Sequence, residues 1–258
     1  MLFVIDIGNT NTVLGVYQDD RLVHSWRAKT EHKTTEDEFH ILVQNLFIFG
    51  NVEIKDIHQT IASCVVPPMM GILDAFCKKY LSHSPLWVNA HNVSMPICLK
   101  NPDEVGADRL VNAIAACHKY DGNLIVIDFG TATTFDCISS KGEYLGGAIS
   151  PGIMIASEAL FINASKLPRV DIYNSPKNII GKDTAESIQS GIIFGYAGLV
   201  DGLVKRLSKE MDGIPTIIAT GGLAPLMANV SECIEHVETD LTLEGLRLIA
   251  QRKKHLKG

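Results

Sequence analysis

One ten-residue pattern occurs twice in this chain and limits what the chain can fold into. Residues 4–13 read VIDIGNTNTV, and residues 126–135 read VIDFGTATTF. Each copy is an apolar run that ends in aspartate, followed by x-Gly, small hydroxyl or amide residues and a second apolar run. This order predicts a buried strand, a tight turn and a second strand. Because the pattern returns 122 residues later, we expect two related lobes that face a shared cleft.

The residues around each hairpin predict a mixed α/β fold. Aligning the two copies places Asp6 with Asp128, Gly8 with Gly130 and Thr12 with Thr134. The expected strands are residues 2–6, 13–17, 21–27, 59–66, 85–88, 124–128, 133–139, 144–149 and 215–219. The expected helices begin near residues 36, 68, 107, 153, 183 and 241, and residues 89–105 are expected to form an irregular connection. We therefore divide the chain into an N-terminal lobe, 1–118, and a C-terminal lobe, 119–258.

Composition excludes several classes of function. The 258 residues are 46% hydrophobic and 20% charged, which describes a well-packed globular chain. A net charge of −6 supplies no basic field for nucleic acid. The six cysteines form no C-x-x-C pair or zinc-like spacing. The N-terminus lacks a basic signal region, and no segment supplies about twenty uncharged apolar residues. We expect a cytoplasmic protein that binds neither nucleic acid nor membrane.

Well-known catalytic motifs do not account for the two hairpins. Asp128-Phe129-Gly130 matches the D-F-G of protein kinases, but the chain has no H-R-D loop and no V-A-I-K lysine. The segment from Gly147 to Gly152 has the G-x-x-x-x-G spacing of a Walker A loop but lacks the following Lys-Ser/Thr. A different phosphate-binding design is needed.

The hairpins have the composition of a phosphate cradle. Gly8 and Gly130 allow backbone N–H groups to approach an anion. Hydroxyl and amide side chains add further donors, and Asp6 and Asp128 suit a hard cation or its water ligands. For either hairpin alone, the simpler interpretation is a polar turn capped by its aspartate. The occurrence of two copies favours function.

The two hairpins, Gly106-Ala107-Asp108-Arg109 and Thr220-Gly221-Gly222 together resemble the type III pantothenate kinases over essentially the whole chain. This family belongs to the superfamily of acetate and sugar kinases, actin and chaperone ATPases. The resemblance implies an actin-like ATPase fold of two ribonuclease H-like lobes, each a mixed five-stranded sheet with helices. It also implies transfer of the ATP γ-phosphoryl group to pantothenate, which gives 4′-phosphopantothenate in the first step of coenzyme A biosynthesis.

The resemblance also implies roles for particular residues. Asp6 would bind Mg²⁺ through the phosphates, and Asp128 would bind a monovalent cation, K⁺ or ammonium. Asp108 would be the general base. The implied ATP contacts are Asp6, Ile7, Gly8, Asn9, Thr10, Asn11, Thr12, Val13, Thr131, Gly221 and Gly222. The implied pantothenate contacts are Gly106, Ala107, Asp108, Arg109 and Thr184. The family's dimer interface lies in the second half, consistent with the apolar stretch from Ile188 to Leu203.

Some alternatives remain open at this point. Asp108 also suits the N-cap of a helix that starts at Leu110. Leu99 stands where many family members have a tyrosine before Asn-Pro, which puts part of the acceptor pocket in doubt. Some relatives act as accessory factors for a transcriptional regulator, so the chain is also compatible with a nucleotide-binding regulator that has little catalysis. A kinase or phosphatase for another small molecule is a third interpretation.

Overall fold

The computed structural model describes residues 1–255 and separates into two compact units. The first unit comprises Met1–Ser94, Asn101–Ala115 and the chain from Thr242 onward, and the second comprises Met95–Lys100 and Ala116–Leu241. The units are therefore not consecutive halves of the chain. The final helix belongs to the first unit, whereas the expected division at residue 118 had placed it in the second.

The first unit is built on a five-stranded mixed sheet in the order β3-β2-β1-β4-β5. Its strands are β1 (Leu2–Ile7), β2 (Asn11–Gln18), β3 (Arg21–Lys29), β4 (Gln59–Cys64) and β5 (Leu86–Trp87). The helices α1 (Glu36–Phe49), α2 (Pro67–Phe76), α3 (Ala107–Lys119) and α7 (Leu241–His255) accompany it, and α3 runs on past the end of this unit. The central strand β1 is antiparallel to β2 and parallel to β4.

Local sequence signals explain where the first helices begin. The Thr35 hydroxyl accepts a hydrogen bond from the Glu38 N–H, and the Glu38 carboxylate accepts one from the Thr35 N–H, which forms a capping box. Helix α1 then buries Phe39, Val43 and Phe47. Pro67 occupies the first position of α2, where a missing N–H costs nothing. The α-helix ends at Phe76, and a π-helical turn, Cys77–Leu81, continues it.

The second unit repeats this sheet with the order β10-β9-β6-β7-β8. Its strands are β6 (Leu124–Phe129), β7 (Ala132–Ile138), β8 (Tyr144–Pro151), β9 (Thr216–Thr220) and β10 (His236–Val237). Its helices are α4 (Ile153–Asn163), α5 (Thr184–Leu207) and α6 (Ala224–Ala228). Strand β10 and helix α6 were not predicted, because two and five residues are too few to carry a periodic signal.

The repeat predicted from the two hairpins is confirmed by the matching topology of the sheets. In each unit a central strand has an antiparallel partner on one side and a parallel partner on the other. The predicted residue alignment is wrong by one position after the turn, however. Asp6 lies opposite Val13, whereas Asp128 lies opposite Thr134, so the second turn is one residue shorter. Thr12 is therefore the spatial counterpart of Thr133 rather than of Thr134.

Part of the expected irregular connection is ordered against the second sheet. The Cys98 N–H donates to the Tyr144 carbonyl at 2.8 Å, and the Tyr144 N–H donates to the Pro96 carbonyl at 2.8 Å. The Leu99 side chain lies 3.0 Å from the position that a Cβ on Gly146 would take. Residues 96–98 thus pair with the outer edge of β8, and Leu99 packs beside that edge.

Helix α5 is the one described helix that is long and apolar enough to cross a membrane by length and composition. This helix differs from the expectation that no segment of the chain is apolar enough to span a membrane. One face of the helix packs in the second core through Ile193, Ala197, Val200 and Val204. On another face the Asp201 carboxylate accepts a 2.6 Å hydrogen bond from the Ser231 hydroxyl. Only 33% of the apolar stretch is buried, so much of the helix surface is left uncovered.

Candidate functional site

The first hairpin turn is held by a residue that sequence reasoning missed. The Thr30 hydroxyl donates to the Gly8 carbonyl at 2.7 Å, and the Thr30 N–H donates to the Thr10 carbonyl at 3.0 Å. The Thr12 and Thr30 hydroxyls are also 3.0 Å apart. Thr30 follows β3 and had no motif around it, so only the folded sheet identifies it as part of the turn.

The two turn glycines use their own N–H groups to close the turns. Gly8 donates to the Asn11 carbonyl at 3.0 Å, and Gly130 donates to the Ala132 carbonyl at 3.1 Å. These two N–H groups are therefore engaged within the turns, so any N–H groups that the turns offer to an anion belong to other turn residues. The exposed residues of the turns are Asn9, Thr10, Gly130 and Thr131. These four positions are accessible to a ligand.

The other residues of the predicted first motif have different exposures. Ile7 and Thr12 are buried, so their side chains face the protein interior. Asn11 and Val13 are half-buried on β2. Asp6 is half-buried at the end of β1, and its carboxylate accepts a 2.7 Å hydrogen bond from the Ser63 hydroxyl on the adjacent strand. Ser63 was not predicted, although the parallel pairing of β1 and β4 places it directly beside Asp6.

Asp128 is the matching carboxylate of the second hairpin, with Thr220 beside it on the parallel strand β9 and Gly221 packed closely against it. Gly221 follows β9 with φ of +91°, a conformation that favours glycine. A Cβ at Gly221 would lie 2.5 Å from a carboxylate oxygen of Asp128 and 2.8 Å from the Phe129 nitrogen. The turn that carries Gly221 and Gly222 thus packs directly against Asp128. The structure brings together two motifs that are far apart in the sequence.

Asp108 lies in the first turn of α3, in a pocket shaped by its neighbours. Its carboxylate accepts a 2.8 Å hydrogen bond from the Arg109 N–H. A Cβ at Gly106 would lie 2.4 Å from the same oxygen, so a side chain at this position would displace the carboxylate. The helix begins at Ala107, which places Asp108 inside the helix. The alternative of an N-cap for a helix starting at Leu110 is therefore wrong.

Burial raises the pKa of the Asp108 carboxyl above its ordinary value. The hydrogen bond from Arg109 and the positive charge of its guanidinium act in the opposite direction, but burial is the larger effect. Part of the side chain remains accessible to solvent although protein surrounds most of the carboxylate. A carboxylate with a raised pKa that can still be reached is suited to accepting a proton.

Thr184 lies in the second unit, at the first position of α5. The preceding residue, Asp183, caps the helix by accepting a 2.8 Å hydrogen bond from the Glu186 N–H. Thr184 is exposed and borders a cavity of about 590 Å³. The other residues around this cavity are Leu160, Leu167, Gly181, Lys182, Asp183, Ser187, Ile188, Gly191 and Ile192.

The carboxylates do not form a protein cage for a metal ion. Among residues 1–255 no three His, Cys, Asp or Glu side chains are grouped so that they could hold one. Magnesium commonly binds through one or two carboxylates together with water and substrate phosphates. A single carboxylate such as that of Asp6 fits this mode of binding, whereas a structural metal site requires more protein ligands.

Solved structures with the same fold define the class of protein. A hexokinase of the ROK group from Thermus thermophilus superposes with a TM-score of 0.54 at 13% identity, covering 98% of this chain and 99% of that one. Component A of (R)-2-hydroxyglutaryl-CoA dehydratase from Acidaminococcus fermentans gives 0.57 at 12% identity, covering 95% of each. At these identities the likeness concerns the fold alone. The protein has the two-sheet fold of the actin-like ATPases.

Sequence comparison narrows this class to one family. The profile of the type III pantothenate kinases matches residues 2–206. A type III pantothenate kinase from Desulfatibacillum aliphaticivorans is 66% identical over 98% of both chains. Another from Desulforapulum autotrophicum is 57% identical over 100% of this chain and 99% of its own. The chain belongs to the type III pantothenate kinase family.

Replacing Asp108 with Asn is expected to stabilise the protein at neutral pH. Because folding raises the pKa of the Asp108 carboxyl, its protonated form stabilises the folded state. This stabilisation is fully present below the ordinary pKa of 3.8 and is lost as the pH rises through the folded-state pKa. Asn keeps the shape and the acceptor oxygen without the charge. We expect Tm at pH 7 to rise by about 2–4 °C, the shift that roughly 1 kcal/mol produces at this size.

The matched control is Asp121→Asn, which changes an exposed aspartate outside the site and should leave Tm within about 1 °C. Thermal unfolding of both variants and the wild type at pH 5 and pH 7 gives the comparison. A lower Tm for Asp108→Asn at pH 7 would contradict the effect attributed to burial.

Proposed function

We propose that this protein transfers the γ-phosphoryl group of ATP to pantothenate and forms 4′-phosphopantothenate, the first step of coenzyme A biosynthesis. The observation that carries the proposal is the turn Gly106–Arg109, where a largely buried carboxylate with a raised pKa occupies the space that a Cβ on Gly106 would take. The full-length identity of 66% to a pantothenate kinase supports the same activity.

In this proposal Asp108 is the general base. Phosphoryl transfer has a loose transition state, so the acceptor hydroxyl must mainly be held in line and relieved of its proton late in the reaction. A raised pKa makes the Asp108 carboxylate a better proton acceptor than an ordinary aspartate. Arg109 adds a planar pair of donors for the carboxylate or amide oxygens of pantothenate. Gly106, Ala107 and Thr184 complete the acceptor contacts.

ATP contacts are assigned to both hairpins. The exposed turn residues Asn9, Thr10 and Thr131 offer polar groups to the phosphates. Gly221 and Gly222 carry the adenosine contact, because a backbone without side chains lets a nucleoside approach closely. Asp6 would hold Mg²⁺ through water or phosphate, and the cation would neutralise charge on the transferred group.

A second, monovalent cation is assigned to Asp128. The carboxylate lies in a cradle that a Cβ at Gly221 would fill, close to backbone atoms of Phe129. A K⁺ or ammonium ion fits such a site, where one carboxylate is combined with neutral backbone groups. The ion would then link the second hairpin to the turn that carries the adenosine contact.

The acceptor is tested by measuring ADP release with pantothenate, acetate, a sugar or no acceptor. We expect turnover with pantothenate only. Asp108→Asn should lower kcat at least about 100-fold while the fold is kept, since a general base contributes roughly 10²–10⁴-fold. Gly106→Ala should also lower kcat, because it displaces the carboxylate. The control Gly71→Ala introduces a methyl group into open space on α2.

Two outcomes of this assay would change the assignment. Near-normal activity of Asp108→Asn would exclude it as the base. ATP binding without turnover on any acceptor would favour the alternative of a nucleotide-binding regulator. A solved structure from Campylobacter jejuni carries the name of a Baf family transcriptional activator. That structure is 18% identical to this chain with a TM-score of 0.61 and covers 98% of this chain and 99% of its own, so it supports the fold and not the function.

Removing K⁺ and ammonium is expected to raise the KM for ATP at least about tenfold, which corresponds to roughly 1.4 kcal/mol of lost binding. The measurement is a titration of ATP in a sodium or Tris buffer with and without added KCl. Asp128→Asn should abolish the response to KCl. If wild-type kinetics are indifferent to these ions, the role given to Asp128 is wrong.

A homodimer formed through the second unit is the proposed assembly. Helix α4 and the segment that leads to α5 expose a set of large apolar side chains. Contact of such a set with water is unfavourable and is typical of an interface with another protein. These residues are Met154, Ile155, Leu160, Phe161, Ile162, Ile179 and Ile180. Helix α5, whose surface is largely uncovered, follows these residues along the chain. The six cysteines, all within the described part of the chain, form no disulfide, which fits the proposed location in a reducing cytoplasm.

Ile162→Glu is expected to convert the dimer to a monomer, because it places a charge in the proposed apolar interface. Ile162 is 68% exposed in the single chain. The control is Ile214→Glu, at a residue that is 96% exposed in a loop of the same unit. Light scattering after size exclusion measures both masses. An unchanged mass for Ile162→Glu, or a monomeric wild type, would contradict this interface.

A further inference from the structure

One buried hydroxyl of α5 reaches the chain that supports the second hairpin. Tyr196 is 8% exposed, and its ring packs in the second core. Its hydroxyl donates a 2.5 Å hydrogen bond to the Pro151 carbonyl at the end of β8. The Ser150 hydroxyl lies 3.1 Å from the same carbonyl, but it comes from the neighbouring residue. Tyr196 therefore supplies the donor that ties this carbonyl to another element.

The peptide held by Tyr196 lies directly against the second hairpin. Pro151 is opposite Ala132 in the pairing of β7 and β8. The next residue, Gly152, donates its N–H to the Thr131 carbonyl at 3.2 Å. A Cβ on Gly152 would lie 2.2 Å from that carbonyl oxygen and 2.7 Å from the carbonyl oxygen of Gly130. The backbone of Pro151-Gly152 thus packs directly against the turn of the second hairpin and supports it.

The Tyr196 hydroxyl can be removed without disturbing the core, because packing holds the tyrosine ring in place. The ring belongs to the same core as Ile153 and Ile193. Removing the hydroxyl alone keeps this ring contact and takes away the donor to Pro151. A carbonyl that loses its long-range donor becomes free to shift, and its neighbour Gly152 carries the shift to Thr131. The exposed side of Thr131 is where the ATP contact is assigned.

We propose that Tyr196 is a positioning residue for ATP, which acts through Pro151 and Gly152 to hold Thr131 in the second hairpin. The inference rests on the proposed function for the role of Thr131. It assigns Tyr196 no contact with either substrate. Its effect should therefore fall on the binding of ATP and leave the binding of pantothenate unchanged.

The test compares Tyr196→Phe with the wild type in full kinetics and in direct binding of MgATP by calorimetry. We expect the KM and the Kd for ATP to rise about 5- to 10-fold, as loss of one buried hydrogen bond produces. The KM for pantothenate should stay within about twofold. Tyr120→Phe is the matched control, because it removes a tyrosine hydroxyl that donates to Glu238 at 2.6 Å in the same unit.

Each outcome decides a separate question. If both KM values stay unchanged or rise together, or if Tyr196→Phe changes only Tm, the residue is merely structural and the proposal is overturned. The same conclusion holds if Tyr120→Phe weakens ATP to the same extent. If the wild type does not phosphorylate pantothenate, the proposed function fails, while the Kd for MgATP still tests the support of Thr131.

Discussion

Close contact between backbone and carboxylate governs the candidate site. Asp108 and Asp128 each lie where a neighbouring glycine leaves no room for a Cβ, at 2.4 Å from the position expected on Gly106 and 2.5 Å from that on Gly221. Carboxylates are costly to bury, and they persist only where hydrogen bonds, charges or function compensate. Here the glycines let main-chain groups surround each carboxylate, so the side chain is both confined and partly reachable. Each of the two units thus contains one carboxylate that is confined by a glycine.

The duplicated sheets share a topology but have diverged in how they fix their turns. In the first unit the Thr12 hydroxyl is 3.0 Å from that of Thr30. Its spatial counterpart Thr133 is fully buried, and within the described part of the chain its hydroxyl has no hydrogen-bond partner. The second turn is one residue shorter, and its support comes from Gly152 and, through Pro151, from Tyr196. The repeated hairpin is thus fixed by different contacts in the two units.

Much of the fold could be predicted from local patterns. The capping box at Thr35, the apolar face of α1 and the two Asp-x-Gly hairpins placed the elements within a few residues of their observed ends. The shift in hairpin register could not be predicted, because the two turns have similar compositions and differ only in which carbonyl accepts from the glycine. The assignment of α7 to the first unit was likewise missed, since an amphipathic helix does not encode which sheet it covers.

The features of the candidate site also divide into those that the sequence determined and those that only the fold decided. The amino-acid sequence by itself determined that the chain contains two Asp-x-Gly hairpins, a Gly-Ala-Asp-Arg turn and a Gly-Gly turn. Such short motifs depend only on residues that are neighbours along the chain. Only the tertiary structure decided that Gly221 packs on Asp128, that Ser63 donates to Asp6 and that Thr30 closes the first turn. These contacts join residues 22 to 93 positions apart, and their geometry follows from strand register and sheet order, which no local pattern specifies.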